Sequence, residues 1–254
     1  MTFLGRESFL VPVLWSDDGW PELNFGRPIS LLTIAPARGM YMYDQPVKWS
    51  EKFTGPKLQL GWYSKNTAVK PASECSLTAR PGYLRIYGGP YRLSSSNSPT
   101  ALFRKQLHRQ GVWRTKLAFA PDSFDCEAGT AVYWNYFTWS SIGVRRASSG
   151  VRQVVVTPCE GETTYADLET DDAEIILAIQ CQESKYKFGF QEMSKAIKKS
   201  SENNVQWLGE ISTESMTRDP PIGLPFTGMM LCLYAFAEFQ RSLVPADYAY
   251  AEFM

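Results

Sequence analysis

Short segments rich in β-branched and aromatic residues, separated by turn-forming clusters, dominate the hydrophobic pattern of the chain. Residues 113–119 (WRTKLAF) alternate apolar with polar or small side chains, as expected for a strand with one buried face. Eight further segments have the same strand character: residues 83–87, 101–106, 130–136, 141–145, 153–157, 175–180, 186–191 and 229–235. Segments at this spacing predict an all-β fold, an antiparallel two-sheet β-sandwich or jelly roll.

The first fifty or so residues have a different pattern. Residues 8–15 are apolar and β-prone, residues 16–19 (SDDG) are a turn signal and residues 20–23 continue the strand, which predicts a β-hairpin. Two strands alone are marginal in water, so the hairpin must pack on the sandwich or on a missing domain. Residues 26–44 read as a connector, residues 94–98 and 160–172 as exposed loops, and residues 192–202 as a short helix or a charged loop.

Charge and composition exclude several classes of partner. The 26 basic and 26 acidic residues leave no net charge, whereas nucleic-acid and acidic-membrane partners call for a basic surplus. The five cysteines show no CxxC spacing, so buried thiols are favoured over a zinc site. No apolar run is long enough to cross a membrane, and Arg6-Glu7 interrupts any signal peptide. A cytoplasmic location is expected, or an extracellular one if the chain is a fragment of a secreted enzyme.

Aromatic side chains make up 14% of the chain, and four of them cluster at Tyr133, Trp134, Tyr136 and Trp139. Alternation sends Tyr133 to one face of a strand and Trp134 to the other, so some of the cluster must face away from the core. The exposed members could stack on sugar rings or form a docking surface for another domain, and docking is favoured. Trp134 and Trp139 are the candidates for sugar binding.

Two patterns that would signal catalysis are weak. Glu169, Asp171 and Glu174 have an E-x-D-x-x-E spacing, which places three acids in one cleft when a bulged strand carries them. Here polar residues stand between the acids, which favours a solvated loop. His108 is the only histidine, so a site built from several histidines is excluded.

Six segments, in order, resemble a known family. Residues 5–13 and 18–21 (GRESFLVPV, DGWP) are similar to the stretch that closes the catalytic propeller of family-43 β-xylosidases. The others are similar to the sandwich that follows it: residues 77–85 (LTARPGYLR), 124–135 (FDCEAG, AVYWN), 186–190 (YKFGF), 226–235 (FTG, LYA) and 245–248 (PADY). The resemblance covers nearly the whole chain.

The resemblance implies a concanavalin A-like sandwich over residues 49–254, a propeller remnant over residues 1–25 and a connector over residues 26–48. In such enzymes the sandwich narrows a pocket that takes one xylosyl unit. Phe226 is the counterpart of a sandwich phenylalanine that reaches this pocket. Arg6 is the counterpart of a propeller arginine that lies near the substrate. The implied partners are xylan or a xylo-oligosaccharide and a catalytic five-bladed propeller. Asp247 could help to hold a structural calcium ion, as in related sandwiches, or be an ordinary surface or turn aspartate; no other cofactor is implied.

Family-43 enzymes hydrolyse the glycosidic bond with inversion of configuration at the anomeric carbon, using a pair of carboxylates. The family carries these carboxylates on earlier propeller blades. No carboxylate of this chain is assigned to those roles, and no activity is expected from the chain alone. Three hypotheses remain. The first is a non-catalytic sandwich that binds or orients xylan-type polysaccharide. The second is a truncated xylosidase or arabinofuranosidase, and the third, more distant, is a hydrolase that works through the sandwich itself.

Overall fold

The computed structural model describes residues 3–5, 11–29, 48–169, 174–193, 205–218 and 227–254. The chain divides into two compact units, residues 6–46 and a larger unit formed by residues 1–5 and 47–254. Within the described ranges no helix is long and apolar enough to cross a membrane. Regular helix there is limited to two 3₁₀ turns, Asn24–Gly26 and Ser215–Thr217.

The smaller unit contains the predicted hairpin. Strands β1 (Val13–Trp15) and β2 (Pro21–Leu23) pair antiparallel. The turn between them is closed by Ser16, whose backbone carbonyl accepts a hydrogen bond from the Gly19 amide at 2.9 Å. Gly19 has a φ of +83°, a conformation that glycine adopts without the steric cost of a side chain. In the described part of this unit, seven large apolar side chains are exposed to solvent: Val13, Leu14, Trp15, Trp20, Leu23, Phe25 and Ile29.

The larger unit is a sandwich of two antiparallel sheets. Sheet A has seven strands in the order β12-β11-β10-β9-β16-β7-β4, and sheet B has eight in the order β15-β14-β13-β8-β17-β6-β5 with β3 beside β17. The strands are β3 (Trp49–Glu51), β4 (Trp62–Tyr63), β5 (Cys75–Ser76), β6 (Leu84–Tyr87), β7 (Ala101–Lys105), β8 (Gly111–Ala118), β9 (Cys126–Asn135), β10 (Thr138–Arg146), β11 (Arg152–Thr157), β12 (Thr164–Asp167), β13 (Glu174–Cys181), β14 (Lys185–Glu192), β15 (Gln206–Ser212), β16 (Met230–Ala237) and β17 (Pro245–Phe253). The predicted sandwich is confirmed, and each of the nine predicted segments falls on a strand.

Six strands of the sandwich were missed by the hydrophobic pattern: β3, β4, β5, β12, β15 and β17. Strand β12 lies inside residues 160–172, for which a loop was predicted, so that prediction is wrong for these four residues. The strand is at the edge of sheet A and largely exposed, and an exposed edge strand needs no apolar alternation. Strand β17 lies in the middle of sheet B, but its small alanines and its tyrosines give only a weak hydrophobic signal.

The main core lies between the sheets, and a few polar side chains join them. On β8 the inward residues Trp113, Thr115 and Leu117 are fully buried, which confirms the predicted alternation. The Trp113 indole donates to Thr130 Oγ1 on the opposite sheet at 2.8 Å, and the Thr130 hydroxyl donates to the Cys232 carbonyl at 2.6 Å. The Tyr248 hydroxyl, from sheet B, lies 2.8 Å from the Gly129 carbonyl and 2.6 Å from the Tyr234 carbonyl.

A second hydrophobic cluster lies on the face of sheet A that points away from sheet B, here called the outer face. Alternation along β9 sends Ala128, Val132 and Trp134 to the main core and Ala131 and Tyr133 to the outer cluster. The rest of the outer cluster is contributed by strands β7 and β16 and by the segment before β7: Leu93, Ala101, Phe103, Cys232, Tyr234 and Phe236. Sheet A therefore carries a hydrophobic cluster on each of its faces.

We predict that Tyr248→Phe lowers the free energy of unfolding by about 1–3 kcal/mol, because the hydroxyl is shared between two buried carbonyls that no water can reach. Urea denaturation of the whole chain measures this loss. Tyr63→Phe removes an exposed hydroxyl and is the matched control. Equal stability of the two variants would show that the cross-sheet hydroxyl does not contribute.

Candidate functional site

A row of side chains crosses the outer face of sheet A at one end of the sandwich. The register of β10 places Arg145 opposite Gln153 of β11 and opposite Glu127 of β9. Glu127 in turn lies opposite Phe236 of β16. Residues that pair directly across antiparallel strands point to the same face, so four different strands bring Gln153, Arg145, Glu127 and Phe236 into one line.

A glycine next to this row makes room for a buried acid. Gly129 and Gly143 lie opposite each other on β9 and β10. A Cβ on Gly143 would lie 2.5 Å from the Tyr234 hydroxyl and 3.0 Å from Glu127 Oε1. The missing side chain leaves the space in which the Tyr234 hydroxyl donates a hydrogen bond to Glu127 Oε1 at 2.6 Å.

The environment of Glu127 favours its neutral form. Its side chain is almost entirely removed from solvent, with the residue only 6% exposed. This burial raises the pKa of the Glu127 carboxyl above its ordinary value, against the smaller opposing effects of the Tyr234 hydrogen bond and of the Arg145 and Arg92 charges. Burial thus works against ionisation of the acid in this row.

The row ends at an open cleft of about 560 Å³. The cleft is lined by basic, polar and aromatic side chains: Arg92, Phe124, Arg145, Arg146, Ser148, Ser149, Gln153, Tyr165 and Glu238, together with Ala147. The Arg145 guanidinium lies 4.8 Å from the centre of the Tyr165 ring, and Arg92 lies 5.0 Å from that of Phe236. Arg92 also pairs with Glu238 at 2.5 Å. Exposed rings beside hydrogen-bond donors are the usual components of a site for a polar, flat-faced ligand.

The two tryptophans predicted to bind sugar lie on opposite faces of sheet A. Trp139 packs at the edge of the outer cluster and lines a small recess with Arg92, Glu127 and Tyr234, so its role in binding stays a prediction. Trp134 is 5% exposed and belongs to the main core between the sheets. The expectation that its ring is available for stacking is wrong, because alternation along β9 turns it inward.

Asp247 is neither a surface residue nor suited to a calcium ion. It is buried on β17, where Arg85 donates to both carboxylate oxygens at 2.7 and 2.8 Å and Arg80 donates to Oδ2 at 2.9 Å. Calcium binds six to eight oxygens, and two guanidinium groups already occupy this carboxylate. Among the described residues no group of three or more His, Cys, Asp or Glu side chains could hold a metal ion.

Arg6 and Phe226, the two site residues implied by the resemblance, lie outside the described residues. Glycines close to them in the chain are described, and both belong to the larger unit. A Cβ on Gly228 would lie 2.2 Å from the Leu4 carbonyl oxygen, and one on Gly5 would lie 2.7 Å from the Gly228 amide. The glycines of these two motifs are thus required by a close backbone contact.

The E-x-D-x-x-E pattern is only partly within the described residues, since Asp171 lies outside them. Glu174 begins β13 and forms an ion pair with Lys116 at 2.6 Å, and it accepts a hydrogen bond from the Tyr83 hydroxyl at 3.0 Å. These contacts give Glu174 a structural role at the strand end. The remaining candidate for catalysis, His108, stacks on Phe253 with the ring centres 6.2 Å apart.

Comparison with known families identifies this sandwich. Residues 50–254 match the model of the β-xylosidase C-terminal concanavalin A-like domain. The chain belongs to this family of glycoside hydrolase family-43 domains. The β-xylosidase C-terminal domain accordingly accounts for all the strands from β4 to β17 and for most of the core described above.

Relatives of known name are longer than this chain. A non-reducing end α-L-arabinofuranosidase of Bacteroides ovatus is 29% identical over 98% of the chain and 45% of its own length. A xylan 1,3-β-xylosidase of Vibrio sp. is 28% identical over 100% of the chain and 46% of its own length. The solved Bacteroides ovatus xyloglucan PUL GH43B structure aligns with a TM-score of 0.81 at 27% identity, over 98% of the chain and 47% of its own. The chain spans about half the length of these relatives.

Within the β-xylosidase C-terminal domain, sequence reasoning missed Glu127 and Arg145. Glu127 stands in residues 124–129, quoted only for the resemblance, and Arg145 ends a predicted strand. Neither has a local signal of function, because it is the pairing of β9 with β10 that brings them together. The available clue to these residues was the presence of polar side chains at the ends of predicted strands.

We predict that Asp247→Ala lowers the free energy of unfolding by about 3 kcal/mol, because it leaves two partly buried guanidinium groups without their shared carboxylate. Thermal and urea denaturation measure the loss. The calcium chelator EGTA should leave the melting temperature of the unaltered chain unchanged. A fall in melting temperature on chelation, restored by calcium, would contradict the ion-pair assignment.

We predict that Glu127→Gln becomes increasingly stabilising, relative to the unaltered chain, as pH rises above about 4.5. The raised pKa means that the folded state binds more protons than the unfolded state above this pH. The stability of the unaltered chain therefore declines until the folded pKa is passed, and glutamine removes this dependence. Urea denaturation across the pH range measures the difference. Glu210→Gln is the control, and its effect on the pH dependence of stability should have the opposite sign, because Lys185 lowers the pKa of Glu210. Parallel curves of unfolding free energy against pH for all three proteins would contradict the prediction.

Proposed function

We propose that this domain is a non-catalytic accessory module that binds xylan-type polysaccharide on the outer face of sheet A and shapes the pocket of a catalytic propeller. The observation that carries the binding role is the cleft at the end of the sandwich. Its exposed rings, Tyr165 at 48% and Phe124 at 67% exposure, stand beside the hydrogen-bonding side chains of Gln153 and Arg145.

The chemistry of the cleft suits a sugar chain. Pyranose rings present an apolar face that stacks on aromatic rings, while their hydroxyls need hydrogen-bond partners at the sides. The Arg145 guanidinium lies over the Tyr165 ring at 4.8 Å; this contact restricts the ring and so favours a smaller loss of entropy on binding. The named relatives, a xylosidase and an arabinofuranosidase, support a xylan-type ligand.

The smaller unit favours a second candidate, a fragment of a longer hydrolase without activity of its own. Its hairpin exposes Leu14, Trp15 and Trp20 among other large apolar side chains. Exposed apolar patches of this kind mark interaction surfaces, and two isolated strands bury too little to be stable by themselves. A propeller supplied by a longer chain or by a partner would cover the hairpin. In that arrangement the sandwich acts by completing the enzyme.

Affinity electrophoresis of the whole chain in native gels tests the binding role. We expect soluble xylan to retard the chain and laminarin to leave its mobility unchanged. Tyr165→Ala should abolish most of the retardation, because it removes an exposed ring from an edge strand with little effect on folding. Tyr63→Ala removes a similarly exposed ring from the opposite edge strand of sheet A and should behave like the unaltered chain. Equal mobility in every gel would refute the binding role and leave the fragment hypothesis.

A further inference from the structure

The cleft at the end of sheet A has a marked excess of positive charge. Arg92, Arg145 and Arg146 line it, against a single rim carboxylate, Glu238. Glu238 is already paired with Arg92. The nearby Glu127 is buried and held by Tyr234, and its burial works against a compensating negative charge.

Arg145 is the arginine best placed to meet a ligand. Its guanidinium stacks on Tyr165, and within the described part of the chain it forms no ion pair. Arg146, by contrast, donates hydrogen bonds to the backbone carbonyls of Pro121 and Gly150. A stacked guanidinium keeps its edge of N–H groups free, and that edge matches a carboxylate with two parallel hydrogen bonds.

We infer that this cleft recognises a uronic-acid carboxylate carried by a xylan-type polysaccharide, with Arg145 as the carboxylate-binding residue and Arg92 and Arg146 as supporting positive charges. The inference rests on the proposed function and specifies its ligand. The sugar bearing the carboxylate lies against Tyr165 or Phe124. Gln153 lies opposite Arg145 in the sheet; its amide nitrogen donates to Asp167 Oδ1 at 2.6 Å, and its side-chain oxygen accepts a hydrogen bond from a ring hydroxyl. The cleft volume of about 560 Å³ is within the range of small-ligand sites.

Two forms of one polysaccharide separate this inference from the proposed function. Affinity electrophoresis uses xylan with glucuronic acid branches and the same xylan after its carboxyl groups have been reduced to alcohols. We expect the dissociation constant to be about tenfold lower for the acidic form, the scale of a hydrogen bond to a charged group, and the difference to shrink at high salt. Equal binding of both forms would overturn the inference and leave the proposed function intact, whereas no binding of either would overturn both.

Variants assign the effect to Arg145. Arg145→Gln should bind the acidic xylan about tenfold more weakly and the reduced xylan unchanged, and Arg145→Lys should recover part of the difference because it keeps the charge but not the two-pronged geometry. Arg218→Gln makes the same charge change at an exposed arginine paired with Glu160, away from the cleft, and should have no effect. An Arg145→Gln variant that is folded by thermal denaturation and still prefers the acidic form would overturn the assignment. So would equally tight binding of dextran sulfate, which would show attraction to charge alone.

Discussion

The hydroxyl of Tyr248 links sheet B to two neighbouring strands of sheet A. The side chains on the outer face of sheet A depend on the register of those two strands. This hydroxyl reaches from sheet B to the carbonyls of Gly129 and Tyr234, which lie opposite each other on β9 and β16. A slip of one residue in either strand would turn every side chain to the other face. Glu127 would then point into the core and lose the hydrogen bond from the Tyr234 hydroxyl.

The segments that carry the family resemblance meet one another in pairs. Glu127, of residues 124–129, accepts the hydrogen bond from Tyr234, of residues 226–235. Arg80 and Arg85, of residues 77–85, hold Asp247, of residues 245–248. Each of these contacts joins parts of the chain more than one hundred residues apart. Much of the signature is therefore structural, which explains why the resemblance predicted the fold.

Hydrophobic alternation predicted nine of the strands but could not assign the faces of sheet A. Where one face of a sheet is solvated, alternation shows which side chains enter the core. Here Tyr133 and Trp134 are both buried, one in the outer cluster and the other between the sheets, so β9 is buried on both faces. Arg145 and Glu127 had no local signal of function, because their proximity is set by strand pairing and not by spacing along the chain.

The zero net charge of the chain and the basic cleft are compatible because charges act locally. At physiological ionic strength the effect of an exposed charge fades within about 8 Å, so the surplus formed by Arg92, Arg145 and Arg146 is felt only by a group seated among them. A nucleic acid carries a charge on every unit, so it gains little binding free energy from a single small cluster of arginines. A largely neutral polymer with widely spaced carboxylates gains binding free energy from each carboxylate that it places in the cleft. Its uncharged units contact the exposed rings. The charge distribution thus agrees with the sparsely acidic polysaccharide that we infer as the ligand.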